Sequence, residues 1–391
     1  MTALPPLVEP AVELTSAEVE RYSRHLIIPE IGTIGQRRLK KARVLVVGAG
    51  GLGSPVLLYL AAAGVGTLGI IDDDTVDLSN LQRQIIHGVT DVGRSKLESA
   101  RRAVAELNPL VELRLHHTRI DSANARDLFA DYDLIVDGSD NFATRYLVND
   151  AAALLGKPYV WGSISRFEGQ VSVFWEKNGP TYRDLYPEAP PAGSVPSCAE
   201  GGVFGMLCGA VGSMMVSEAV KLITGIGHTL LGRVLLFNVL GASWREITIT
   251  RDPARMPVTE LIDYEAFCQT SVTEDDAAAA EHGLTVRELD TMLDARARGK
   301  GDFDLIDVRE PGEHEIVRIP GSRLIPQGRF VSGAALLNLP LDRDIVLYCK
   351  AGGRSVEVLA DLRRHGYSRV KHVLGGVLAW VTDIDPSLPR Y

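Results

Sequence analysis

Arg43-Val-Leu-Val-Val-Gly-Ala-Gly-Gly-Leu-Gly53 decides how the front of this chain folds. An unbroken apolar run ending on glycine reads as a buried strand, and the apolar stretch from about Ser54 to Ala63 reads as the helix after it. Glycines between the two let the backbone approach a phosphate, and the free amides of a helix start favour an anion. Asp72 ends the next short strand, Gly69-Ile-Ile-Asp72, about 20 residues on, where a carboxylate accepts from ribose hydroxyls. Leu134-Ile-Val-Asp137 is a further strand of the same kind. Strands alternating with helices at this spacing predict an α/β fold, Rossmann-like, with a mostly parallel sheet. At this point a nicotinamide oxidoreductase and an ATP-using enzyme both fit.

The next residues shift the balance. Asp72-Asp-Asp-Thr-Val-Asp-Leu-Ser-Asn-Leu-Gln-Arg-Gln84 places Arg83 soon after the ribose-type acid, and Lys96 follows. Two cations near one nucleotide suit a triphosphate better than a nicotinamide. Asp137-Gly-Ser-Asp140-Asn141 ends a strand with a carboxylate placed to hold magnesium, in the loop position where such sheets bind ligands.

The chain has 391 residues, enough for two or three domains, with 46% apolar and 23% charged residues, which excludes a disordered chain. A net charge of −9 excludes non-specific attraction to nucleic acid or anionic membranes. The longest uncharged stretch, Gly201 to Ser217, is short for a membrane span, so no membrane partner is expected. The first residues show neither a basic nor an apolar leader region, and four scattered cysteines (Cys198, Cys208, Cys268, Cys349) suit a reducing cytoplasm. A Pro-, acid- and Ala-rich stretch divides the chain. We expect a nucleotide-binding domain over 1–255, a linker over 256–283 and a second small α/β domain over 284–391.

In that second domain Cys349-Lys-Ala-Gly-Gly-Arg354 follows the strand Ile345-Val-Leu-Tyr348 and precedes a helical run. A cysteine at such a turn sits over loop amides and a helix N-terminus. With Lys350, Gly352, Gly353 and Arg354 around it, a thiolate or persulfide anion is stabilised. The loop is one residue shorter than that of cysteine phosphatases, a size for bound sulfur rather than a phosphoryl group. Asp307 and Arg309 read as a structural ion pair.

The glycine loop together with Ser79-Asn-Leu-Gln-Arg-Gln84 closely resembles the MoeB/ThiF family, adenylating enzymes related to ubiquitin-activating enzyme, over residues 18–255. The resemblance implies ATP binding by Gly51, Asp72, Ser79, Asn80, Leu81, Gln82, Arg83, Lys96, Asp140 and Asn141, with Asp140 also holding Mg2+. Arg24 matches an arginine that the family reaches across a dimer interface, which implies a homodimer. Cys198 matches a loop cysteine that bonds covalently to the activated carboxyl group or its sulfur adduct. Cys208 is expected to be core packing. Many relatives hold a structural zinc by two Cys-x-x-Cys pairs. Here those positions read Thr181-Tyr-Arg-Asp184 and Cys268-Gln-Thr-Ser271, so no structural zinc is expected and Cys268 is left as a linker-side thiol.

Residues 284–391, with Asp307-Val-Arg-Glu310, His314 and Ile319-Pro-Gly-Ser322, resemble a rhodanese domain, and the full order is similar to fused MoeZ-type adenylyltransferase/sulfurtransferases. That resemblance implies a ubiquitin-like sulfur-carrier protein (MoaD/ThiS-like) as partner and thiosulfate or a cysteine desulfurase as sulfur donor. The expected scheme is adenylation of the carrier's C-terminal Gly-Gly carboxylate, attack by a Cys349 persulfide, and release of a thiocarboxylate with help from Cys198. Molybdenum cofactor, thiamine, cysteine and tRNA thiolation pathways all stay open. The competing readings are an NAD-dependent oxidoreductase with a rhodanese tail, a non-catalytic carrier-binding module, and an adenylating enzyme whose second domain only docks partners.

Overall fold

The computed structural model of this 391-residue chain describes residues 4–11, 13–190, 201–268 and 281–391. The chain forms two compact units, one reaching Cys268 and one built from the described residues beyond 280. The α/β expectation is met in both.

In the first unit β1 (Arg43–Val47), β2 (Thr67–Ile71), β3 (Glu112–His116), β4 (Leu134–Asp137), β5 (Tyr159–Ser165), β6 (Glu168–Phe174), β7 (Arg233–Asn238) and β8 (Ser243–Thr248) form one sheet. Its order is β3-β2-β1-β4-β5-β6-β7-β8. The first five strands are parallel, and each pair from β5 to β8 is antiparallel. Val44 and Val46 of β1 enter one apolar cluster, Leu45 and Val47 the other. A strand buried on both faces must be apolar throughout, which is why it carries no alternation. Helices Gly53–Ala63 and Gly205–Thr224 cover one face, and helix Phe142–Leu154 the other. Helix Gly205–Thr224 is the one described helix long and apolar enough to cross a membrane. It packs on β5 and β6 with Leu207, Val211, Met215 and Ile223 buried. The strand order reverses between β1 and β4, which opens a crevice at their carboxyl ends.

The second unit has β9 (Gly283–Leu284), β10 (Asp304–Asp307), β11 (Arg323–Leu324), β12 (Ile345–Tyr348) and β13 (Val370–Val373), all parallel, in the order β11-β10-β12-β13-β9. Val346 and Tyr348 of β12 face one cluster; Ile345 and Leu347, with Cys349 beyond them, face the other. Helix Val286–Ala297 starts at a reciprocal cap in which Thr285 and Glu288 satisfy each other's amides.

The sequence placed a linker from 256, but residues 261–268 pack on the first unit. Leu261, Tyr264 and Phe267, three residues apart, join its second cluster within a stretch whose acid and proline content hid that spacing. Tyr264 Oη donates to Asp150 Oδ2 at 2.7 Å, and Arg183 clasps the same carboxylate at 2.8 and 2.7 Å. Cys268 belongs to this packing rather than to an open linker, and burial pushes its thiol up.

The loops at the family's zinc positions are held by charge. Asp184, with a fully buried side chain, accepts from the Thr181 and Asp252 amides and from Arg255 Nε at 2.9 Å. Arg255 also reaches Glu176 at 2.7 Å. Burial alone would raise the Asp184 carboxyl, but these amides and the Arg255 charge hold it below the usual carboxylate range. Residues 269–271 of the second pair lie outside the described residues.

Arg255→Met should therefore lose about 3–5 kcal/mol at pH 7, the penalty of leaving a buried charge unpaired. A depressed pKa stabilises above the unfolded value, near 3.8, and that stability fades as pH falls through the folded value. Urea denaturation should thus show the deficit narrowing as pH is lowered toward 4, as Asp184 in the variant takes up a proton. A pH-independent deficit would assign the loss to packing instead.

Candidate active sites

A cavity of about 320 Å³ occupies the crevice between β1 and β4. Its floor is the glycine turn. A Cβ on Gly53 would lie 1.9 Å from the Gly48 carbonyl oxygen, so the helix can begin only because residue 53 is glycine. Leu52, at the helix start, makes no side-chain cap, so no side chain there competes with a ligand for the first amides. Gly51 is backed by Cys208, whose Sγ would be 2.9 Å from a Cβ there, and Cys208 is buried.

Asp72, at the end of β2, accepts the Ala49 amide at 2.8 Å and the Asp74 amide at 2.9 Å. Burial raises its carboxyl, with Lys96 pulling the other way. Lys96, at the start of helix Lys96–Leu107, is buried and reaches Asp74 at 2.7 Å. Arg83 lines the wall and donates to the Ser79 carbonyl at 3.1 Å. Gly138, Ser139, Asp140 and Asn141 close the far side. Asn141 caps helix Phe142–Leu154 by accepting the Thr144 amide at 2.8 Å, which leaves the exposed Asp140 outside that role.

The cavity thus gathers Gly51, Asp72, Arg83, Lys96, Asp140 and Asn141. Ser79, Asn80, Leu81 and Gln82 are not on its wall. Ser79 and Asn80 are taken up in the turn built on Asp77. Arg24 sits exposed in the last turn of helix Ser16–Leu26 and does not line the cavity. Cys198 lies outside the described residues. Sequence reading missed Gln84, from the segment after β2, Thr118 to Ile120, from the loop after β3, and Arg145, from the first turn of helix Phe142–Leu154. It also missed His87. Its Nε2 donates to the Ala49 carbonyl at 3.0 Å, fixing the glycine turn from beneath, and burial holds its imidazole below the usual range.

In the second unit Cys349 is buried at 2% exposure and shares the Ile345 and Leu347 face of β12. The Gly352 amide donates to its Sγ at 3.1 Å, from a backbone with φ +122° that only glycine adopts without strain. The Val377 and Leu378 amides, at the start of helix Gly376–Asp383, hold the Cys349 and Lys350 carbonyls at 2.9 and 3.1 Å. Asp307 and Arg309 form a fully buried pair at 2.6 Å. Arg354 is not an open loop cation: Glu313 grips it at 2.7 Å on both outer nitrogens. Glu313 and Tyr391 were absent from the sequence reading.

A model of the ThiF family matches residues 22–258, and one of the rhodanese-like domain matches 286–383. The chain is 60% identical, over all of both sequences, to a Mycobacterium tuberculosis protein named probable adenylyltransferase/sulfurtransferase MoeZ. It is 40% identical to adenylyltransferase and sulfurtransferase MOCS3 of Drosophila ananassae, covering 97% of this chain and 87% of that one. A sulfur carrier protein adenylyltransferase of Thermus thermophilus is 52% identical, over 65% of this chain and 98% of its own. The crystal structure of E. coli MccB matches with a TM-score of 0.55 at 21% identity, over 64% of this chain and 74% of that one, a likeness of fold.

Gly352→Ala should cost about 1–3 kcal/mol of local strain and withdraw the amide from Cys349 Sγ. Iodoacetamide labelling of Cys349 is then expected to slow several-fold while the melting transition of the first unit stays in place. Unchanged labelling would show that this amide does not tune the sulfur.

Proposed function

The chain belongs to the ThiF family and carries a rhodanese-like domain behind it, and on that premise we propose an enzyme that adenylates a sulfur-carrier protein and then hands it sulfur. It is an adenylyltransferase and a sulfurtransferase. The observation that carries the reading is the cavity at the strand-order reversal, where uncapped helix amides, Asp72, Arg83 and buried Lys96 converge.

A carboxylate attacking the α-phosphorus of ATP needs charge neutralisation and in-line placement more than covalent help. The glycine-turn amides, Arg83 and Lys96 would hold the phosphates, and Asp72 would accept from the ribose. Asp140 and the nearby Asp72-Asp73-Asp74 cluster offer the hard oxygen ligands that suit Mg2+. That ion would offset phosphate charge. Binding to Lys96 competes with Asp74, so nucleotide entry should loosen that ion pair.

The acyl-adenylate formed on the carrier's C-terminal glycine is then attacked by a persulfide on Cys349. The new carbon–sulfur bond expels AMP and leaves an acyl disulfide. Attack by the Cys198 thiolate on the Cys349 sulfur releases the thiocarboxylate and leaves a Cys198–Cys349 disulfide, which an external thiol reduces. In this reading the carrier is ubiquitin-like, the enzyme is a cytoplasmic homodimer, and exposed Arg24 serves the partner's site.

Two variants separate the halves. Lys96→Ala should lower carrier-dependent ATP–pyrophosphate exchange about 10²–10³-fold, whereas Cys349→Ala should leave exchange intact. Intact mass of the carrier after incubation with ATP, Mg2+ and a sulfur donor should show one oxygen replaced by sulfur in wild type and not in Cys349→Ala. Absence of exchange in wild type, with nicotinamide binding instead, would overturn the reading.

A further inference from the structure

The sulfur loop has two cations of its own, Lys350 and Arg354, and the structure engages both. Arg354 Nη1 and Nη2 each lie 2.7 Å from a Glu313 oxygen, with side-chain exposures of only 13% and 11%. Glu313 is itself held in place. It accepts the Glu310 amide at 3.0 Å and the Tyr391 hydroxyl at 2.9 Å, and Arg309, locked on Asp307, donates to that same hydroxyl. Lys350 Nζ rests 4.5 Å from the centre of the Tyr391 ring. A bidentate, nearly buried carboxylate cancels the guanidinium charge at short range.

This matters for which donor loads Cys349. Thiosulfate is a dianion. When the Cys349 thiolate attacks its outer sulfur, the new S–S bond forms, the old one breaks and sulfite leaves with the electron pair. Three negative charges crowd the loop at that moment. A thiol persulfide gives its outer sulfur by the same exchange, with a thiolate leaving, but gathers far less charge. Only the first donor needs an unpaired cation.

Resting on the reading of Cys349 as sulfur acceptor given above, we propose that Glu313 is the specificity-determining residue of this loop: by neutralising Arg354 it disfavours small dianionic donors and leaves Cys349 to the persulfide of another cysteine. Glu313 touches neither the sulfur nor the donor. It acts through Arg354.

The test is a gain of function in the full chain. Sulfur transfer to cyanide is measured with thiosulfate and with cysteine persulfide as donors, for wild type, Glu313→Gln and the double variant Glu313→Gln/Arg354→Gln. Glu313→Gln should lower KM for thiosulfate roughly tenfold, the scale of a charge freed in a partly buried site, and change KM for cysteine persulfide less than twofold. The double variant removes the freed cation along with its partner and should return thiosulfate to the wild-type KM. An unchanged or higher thiosulfate KM in Glu313→Gln, with persulfide transfer intact, overturns the proposal. So does a gain that survives in the double variant. If Glu313→Gln proves unfolded, Glu313→Asp should still lower the thiosulfate KM by loosening the pair, and a wild-type value there refutes the proposal equally. If wild-type Cys349 gains sulfur from neither donor by intact mass, the reading of Cys349 itself has failed.

Discussion

The oxygen of Gly48 occupies the place where a side chain on residue 53 would begin. Everything in the first unit is arranged around that approach. Because the backbone can turn so tightly, a helix starts at the very end of β1, and its amides open into the gap left where the strand order reverses. The neighbouring strands then deliver their own termini to the same spot: Asp72 from β2, and the loop Gly138 to Asn141 beyond β4. One missing side chain thus fixes the distance between a set of donors and a set of carboxylates.

The second unit solves a related problem with different parts. It places Cys349 where a parallel strand ends and a helix begins. Here the turn points the Gly352 amide at a sulfur, and a second helix start restrains the loop's own carbonyls. In the first unit the cations and acids surround a cavity with room for a ligand. In the second they are closed on one another in the chain Asp307, Arg309, Tyr391, Glu313, Arg354. The contrast suits the proposed function, in which the first must hold a whole nucleotide and the second a single sulfur atom.

The features legible in the sequence were those that the backbone encodes locally. The glycine turn, the β1 run and the Cys349 loop each sit within a dozen residues, and spacing alone gives them away. What escaped were pairings made across the fold. Glu313 and Arg354 are distant in the chain, and nothing in either neighbourhood announces that one cancels the other. Tyr264 on Asp150 and His87 beneath Ala49 are of the same type. The misplacement of residues 261–268 has a related cause. Their composition is that of a spacer, and three apolar side chains at helical spacing find a buried surface that only the folded first unit supplies. Ser79 to Gln82 show the converse: a motif is legible as a whole, while which of its members face a cavity depends on how the turn at Asp77 folds.

Alternation along β12 carries one more consequence. Tyr348 and Cys349 point to opposite clusters because successive residues of a strand change sides. A single-residue change upstream in β12 would swap the parity: a deletion brings the Lys350 ammonium group where the thiol now stands, an insertion brings the Tyr348 phenol there, and either turns Tyr348 away from its core. A two-residue change keeps the parity and merely lengthens or shortens the strand. An odd-numbered indel in this strand would therefore turn the sulfur to the opposite side, whereas an even one leaves it facing its own.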